Sequence, residues 1–237
     1  MNRGLLMLAG HAIYEGGAWH GGHQDEDRHY ARHVCDAFRI LRGEGYQALA
    51  LSGGRSRPEL ADRVRNSEAA GMLEFARTAG LANAGDNVLL EQYGRDSFEN
   101  LFFSMLHFHK RFGEWPARVG AVSWKFKALR FYLIACGLRL DGRFRFFGSG
   151  DPASFAEFAV ASVQYDDRIV EDGEIVDPLQ RDAHWFGAKR MGRTPREFSS
   201  NADYLRRVKQ EYGHADLIDQ VEALAPGPGW RDLRWPW

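Results

Sequence analysis

The chain is poor in cysteine, in excess charge of either sign and in long apolar runs. Two cysteines occur in 237 residues, Cys35 and Cys136. There is no CxxC pair and no disulfide framework, so a reducing, cytoplasmic setting fits. Both cysteines fall in apolar helical contexts and read as buried free thiols. Lys and Arg number 31 against 32 Asp and Glu, a formal net charge of −1. The charges are interspersed, which argues against a nucleic-acid partner. The apolar run Leu5-Leu6-Met7-Leu8-Ala9 is far too short to span a bilayer, and its flanks do not resemble a secretory signal, so no membrane partner is expected. Two phosphate-binding signatures are also missing. No GxGxxG follows the first apolar run and no GxxxxGK[ST] loop occurs, which disfavours a standard dinucleotide site and a P-loop NTPase.

What is present is a regular alternation. Apolar segments read as buried strands at 5–9, 48–51, 87–91, 118–123 and 143–147. Each is followed by a glycine or polar turn and, for the first four, by an amphipathic helix: 25–41, 67–79, 96–112 and 126–136. Five such strands predict an α/β fold with a doubly wound, mostly parallel, Rossmann-like sheet over residues 1–150. The remainder, 151–237, reads as a helical C-terminal extension packed on that core, with helices at 152–163, 179–187 and two between 201 and 224. Residues 16–23 read as a Gly/His-rich loop. The tail carries Trp230, Trp235 and Trp237, an aromatic cluster expected to dock on its own domain or on a sister subunit. A homo-oligomer is therefore open.

In doubly wound sheets ligands bind beyond the carboxyl ends of the strands, where helix N-termini converge. The candidate site residues follow from that position. Gly10 and His11 end the first strand, and Ser52, Gly53 and Gly54 the second; the glycines can bring backbone N–H groups close to an anion, or simply make tight turns. Glu91 ends the third strand. Asp96, Ser97 and Asn100 share the first turn of the next helix, as ligands or as plain capping residues. Lys127 and Arg130 share a face at the start of the fourth helix, where cations are unfavourable unless an anion or an acidic neighbour such as Glu91 or Glu68 offsets them. His29 and His33, four apart, could reach one metal, but no further ligand sits at an established spacing, so no metal is expected.

The ordered set Gly10-His11-Ala12-Ile13, Ser52-Gly53-Gly54, Ser67-Glu68-Ala69, Glu91 with Asp96-Ser97-Phe98-Glu99-Asn100, Val122-Ser123 and Arg130 resembles the YdcF-like family, a domain of unknown function with membrane-anchored relatives of the SanA and ElyC kind. The resemblance covers residues 5–152. It implies a Rossmann-like fold with a cleft at the strand ends, acidic and amide residues there at Glu68, Glu91, Ser97 and Asn100, and S-adenosylmethionine or another nucleoside-like ligand as cofactor. The chain departs from the family pattern at Phe98 and Lys127, where many bacterial members carry Thr and His, and the anchor and envelope role of the SanA and ElyC kind are not expected of it.

Together these features predict a small-molecule enzyme, a hydrolase or group transferase. Glu68 or Glu91 would serve as general acid or base with His11 nearby. Gly10, Ser52, Gly53, Gly54, Asp96, Ser97, Asn100, Lys127 and Arg130 would hold the ligand. The alternatives are a non-catalytic module binding a nucleotide-like ligand, and an assembly role for the aromatic tail.

Overall fold

Strand β1 (Gly4–Ala9) is buried at every position, because both faces of the sheet it centres are covered. Leu6 and Leu8 point to one face and Leu5 and Met7 to the other, the two-residue period of a strand. The computed structural model describes residues 3–22, 26–150, 170–171, 174–175, 192–223 and 234–237. From β1 the chain forms a hairpin, β2 (Ile13–Glu15) and β3 (Ala18–His20). It then runs through α1 (Asp27–Gly43), β4 (Ala48–Ser52), α2 (Glu68–Thr78), β5 (Val88–Glu91), α3 (Ser97–Phe112), β6 (Arg118–Ser123), α4 (Ala128–Gly137) and β7 (Phe144–Gly148). A short pairing of β8 (Val170–Glu171) with β9 (Glu174–Ile175) follows, and then α5 (Asn201–Tyr212) and α6 (Ala215–Ala223).

The main sheet has the order β5-β4-β1-β6-β7, with every pairing parallel. This is the expected α/β, Rossmann-like architecture. The chain builds outward from β1 through β4 to β5, then returns to the other side of β1 for β6 and β7. Helices α1 and α2 pack on one face against Leu6, Leu8, Leu49 and Leu51. Helices α3 to α6 cover the other, against Leu5, Met7, Ala50 and Ala121. The order reverses between β1 and β6, so their carboxyl ends diverge there into a crevice.

Three local expectations change. The stretch from Ile13 to His20, read as part of a loop region, is a hairpin. Its Gly16-Gly17 turn has φ of 62° and 90°, the positive pair that a tight primed turn requires. The segment Lys125–Lys127 is a 3-10 turn, so α4 starts later than its apolar pattern suggests. Both cysteines are exposed. On α1 the inward arc is Tyr30, His33, Val34, Ala37 and Phe38, and Cys35 lies outside it; Cys136 likewise lies outside the arc Phe131, Ile134 and Ala135. The expected helices at 152–163 and 179–187, and Trp230, lie outside the described residues. Among the described residues no helix is long and apolar enough to cross a membrane.

The tail and the extension dock on the core. Trp235 and Trp237 stack on each other at 4.9 Å, and their indole N–H groups donate to the carbonyls of Gly137 and Leu138. Tyr204, Val208, Tyr212 and Ile218 of α5 and α6 are buried in the same cluster as α3.

Candidate active site at the strand switch point

A cavity of about 340 Å³ opens at the crevice, within the range of small-molecule sites. It draws on the ends of β1 and β6, the starts of α2 and α3, and the turn before α4. Of the residues singled out from sequence, Gly10, His11, Glu68, Asp96, Ser97, Asn100, Lys127 and Arg130 all line it.

Glu68 is placed by its helix. Ser67 caps α2, its Oγ accepting from Ala70 N at 3.0 Å, and so fixes Glu68 as the first helical residue. The carboxyl then points back over two glycines. A Cβ at Gly10 would sit 2.6 Å from the Glu68 Cβ, and one at Gly53 would sit 2.5 Å from Oε2. Oε1 accepts from Ser56 Oγ at 2.9 Å, and Arg57 Nε lies 3.9 Å away. Burial pushes the Glu68 carboxyl above its ordinary range; the charges of Arg57, Arg193 and Lys127 and the Ser56 hydroxyl pull the other way.

His11 follows β1 directly. Its Nε2 is 3.1 Å from Ser123 Oγ, across the switch point, and its Nδ1 is 3.1 Å from Lys127 Nζ. Burial first, then the charges of Lys127, His33, Arg57 and Arg130, hold His11 well below the usual histidine range. The imidazole is therefore neutral at pH 7. His33 is buried edge-on against Trp124, at 4.6 Å, and its Nε2 donates to the Ser149 carbonyl. Its pKa is lowered to about 4, chiefly by burial. Among the described residues no group of three or more His, Cys, Asp or Glu could hold a metal ion, and His29 and His33 flank Trp124 instead.

Four expected ligand residues do not line the cavity. Glu91 is fully buried behind it. Its Oε1 accepts from Tyr93 N, Gly94 N and Tyr212 Oη, and its Oε2 lies 2.5 Å from Ser52 Oγ. Desolvation raises its pKa to about 7 against these bonds. Its bonds make it a staple for the turn from β5 to α3, set behind the cavity where an acid–base role was expected of it. Ser52 is spent on that staple. The N–H groups of Gly53 and Gly54, expected as anion donors, go to the carbonyls of Glu91 and Gly94 at 2.9 and 2.8 Å. Gly10 N is likewise committed to Ser52 O at 2.7 Å, so Gly10 contributes clearance, not a donor. Asp96 caps α3 by accepting from Glu99 N at 2.9 Å, so capping accounts for one of its oxygens.

Three arginines were not legible as site residues. Arg57 donates to the His11 carbonyl at 2.6 Å. Arg193, from the segment before α5, lines the cavity and donates to the Arg95 carbonyl at 2.9 Å. Arg95 is buried, pairs with Glu99 at 2.6 Å, lies 3.9 Å over the Tyr204 ring and donates to Asn201. No periodic signal marks them, because two lie in irregular loops and one comes from the extension. The described lining residues carry five cationic side chains, Arg57, Arg95, Lys127, Arg130 and Arg193, against three carboxyls, Glu26, Glu68 and Asp96. Trp124, Phe126 and Tyr30 supply its apolar wall.

No family model, no curated protein and no solved structure matches the chain. The likeness to the YdcF-like family thus rests on the ordered residues alone, and the site is interpreted from its own chemistry.

Proposed function

We propose that the protein is an enzyme acting on a small anionic molecule by hydrolysis or group transfer, with Glu68 as general acid or base. The observation that carries this reading is a buried, protonatable carboxyl held over two glycines inside a cation-lined cavity. A carboxyl whose proton affinity burial raises is suited to proton exchange with a bound ligand. Arg57, Lys127, Arg130 and Arg193 would hold the anionic group, for which guanidinium forks and an ammonium are suited. Ser97 and Asn100, at the positive end of α3, would orient the rest.

S-adenosylmethionine, which the YdcF-like resemblance suggests, fits these residues poorly. Its sulfonium and ammonium charges would face the same four cations. The end of β4 carries Ser52, committed to Glu91, where ribose hydroxyls are commonly met by a carboxylate. A nucleotide or other phosphorylated or carboxylated molecule suits the charge better, with Trp124 and Phe126 available to a planar moiety.

The test is Glu68→Gln. On a panel of phosphate esters and carboxylate esters, the wild type should turn over at least one member and the variant should lose at least about 100-fold in kcat. The variant should still bind that substrate. Turnover that survives the substitution would remove Glu68 from the chemistry. Binding without turnover by the wild type would favour the non-catalytic ligand-binding module.

A further inference from the structure

Lys127 and Ser123 engage the two nitrogens of His11 from opposite sides, at 3.1 Å each. A lysine ammonium has only donors, so Nδ1 must be the accepting nitrogen. The imidazole proton is then on Nε2, where it is donated to Ser123 Oγ. Ser123 is buried and fixed by the sheet: β6 pairs with β7 through Ser123 opposite Gly148, and Ser149 N donates to the Ser123 carbonyl at 2.8 Å. Ser123 can therefore hold the ring in place at Nε2, its hydroxyl accepting from the proton that Lys127 confines there. His11 and Lys127 line the cavity.

We infer that Lys127 masks His11 in the resting protein, and that an anionic ligand unmasks it by drawing the ammonium off Nδ1, while Ser123 holds the ring at Nε2. This rests on the anion-binding reading above. The bared Nδ1 lone pair then takes the proton of the attacking O–H as that oxygen bonds to the electrophilic centre of the oxyanion, and the imidazolium returns the proton to the oxygen that leaves as its own bond to that centre breaks. One N–H bond forms as one O–H bond breaks, with no redox change. His11 is thus a second proton-transfer group besides Glu68, Ser123 is a positioning residue, and the substrate class is an oxyanion bearing, or attacked by, a hydroxyl.

Electrostatics supports the gating. The titratable and charged neighbours that shift His11 are Lys127 before α4, His33 of α1, Arg57 of the loop after β4 and Arg130 of α4, and all disfavour its charged form. A bound oxyanion beside Lys127 offsets that charge and favours the imidazolium, so the base appears when the substrate does.

The experiment is NMR of side-chain-labelled [15N]histidine protein, with inorganic phosphate as probe and His11→Gln to assign the resonances. Free wild type should show His11 as the neutral Nε2–H tautomer at pH 7. Saturating phosphate should shift Nδ1 and raise the His11 titration by about one pH unit or more. Lys127→Met should raise it without phosphate and abolish the further response. Ser123→Ala should leave phosphate bound and the free protein's Nε2–H tautomer in place, because Lys127 sets it, but should shift the His11 Nε2 resonance by removing its acceptor, a change that a serine not bonded to His11 would not produce. An Nδ1–H tautomer in the free protein, or phosphate that shifts the Trp124 indole resonance but not His11, would overturn this inference alone. Phosphate that perturbs no cavity resonance would overturn the anion-binding reading and this inference with it.

Discussion

Gly10 is a glycine because of a neighbour. The Glu68 side chain occupies the place where its Cβ would be, and the same side chain crowds Gly53. At Gly53 the backbone adds a second constraint, a φ of 151°, which side chains rarely adopt. Gly10→Ala should therefore displace the carboxyl and also destabilise by about 1 to 3 kcal/mol, because its Cβ meets the Glu68 Cβ anchored on α2, and Gly53→Ala should cost about 1 to 3 kcal/mol more through its backbone. Paired urea melts and activity assays of the two variants separate these outcomes. Glu91 gives a different kind of prediction. Its folded pKa of about 7 lies above the ordinary carboxylate value, so the folded state holds the extra proton. Its contribution is present at low pH and is lost as pH rises through about 7. Glu91→Gln cannot ionise, so the wild type should lose stability relative to this variant between pH 5 and 8. Melting curves at several pH values, compared as a difference, check this; a difference that grows in favour of wild type at high pH contradicts it. His33 works in the opposite sense. Its folded pKa of about 4 means stability is lost as pH falls below about 6.5.

At the scale of elements, the turn between β5 and α3 joins the core to the C-terminal extension. Arg95 lies at its centre, paired with Glu99 and covered by Tyr204 of α5. Arg95→Met leaves Glu99 buried without its cation, and unfolding free energy should drop by about 3 to 5 kcal/mol. Adding Glu99→Leu should recover much of that loss, because no buried charge then remains. The strands, the four core helices and the caps at Ser67 and Asp96 were legible because burial period and capping chemistry are local. The 3-10 turn at Lys125–Lys127 was not, since Phe126 and Phe131 continue an apolar pattern that both geometries satisfy. Nor was the role of Glu91: its position at a strand end marks a cleft residue, and its bonds to Ser52, to the Tyr93 and Gly94 N–H groups and to Tyr212, 121 positions away, tie it behind the cavity. The cavity's position was legible from topology alone, but Arg57, Arg95 and Arg193 come from loops and from the extension, where no pattern constrains placement.

For the whole molecule, two units of structure meet at one cavity: a sheet that diverges at its switch point and an extension that brings Arg193 to its edge. The terminal tryptophans anchor on α3 and on the turn after α4, away from that cavity. Deleting residues 234–237 should lower Tm by roughly 5 °C or more while leaving ligand binding intact. A change of oligomeric state on that deletion would point instead to a sister subunit as the docking partner. The cavity is the account's central claim, and calorimetric titration of inorganic phosphate tests it most directly. The account predicts saturable binding to the wild type, retained in Glu68→Gln and weakened at least about tenfold in both Lys127→Met and Arg193→Met, a loss of about 1.4 kcal/mol. Affinity unchanged in both cation variants would contradict it.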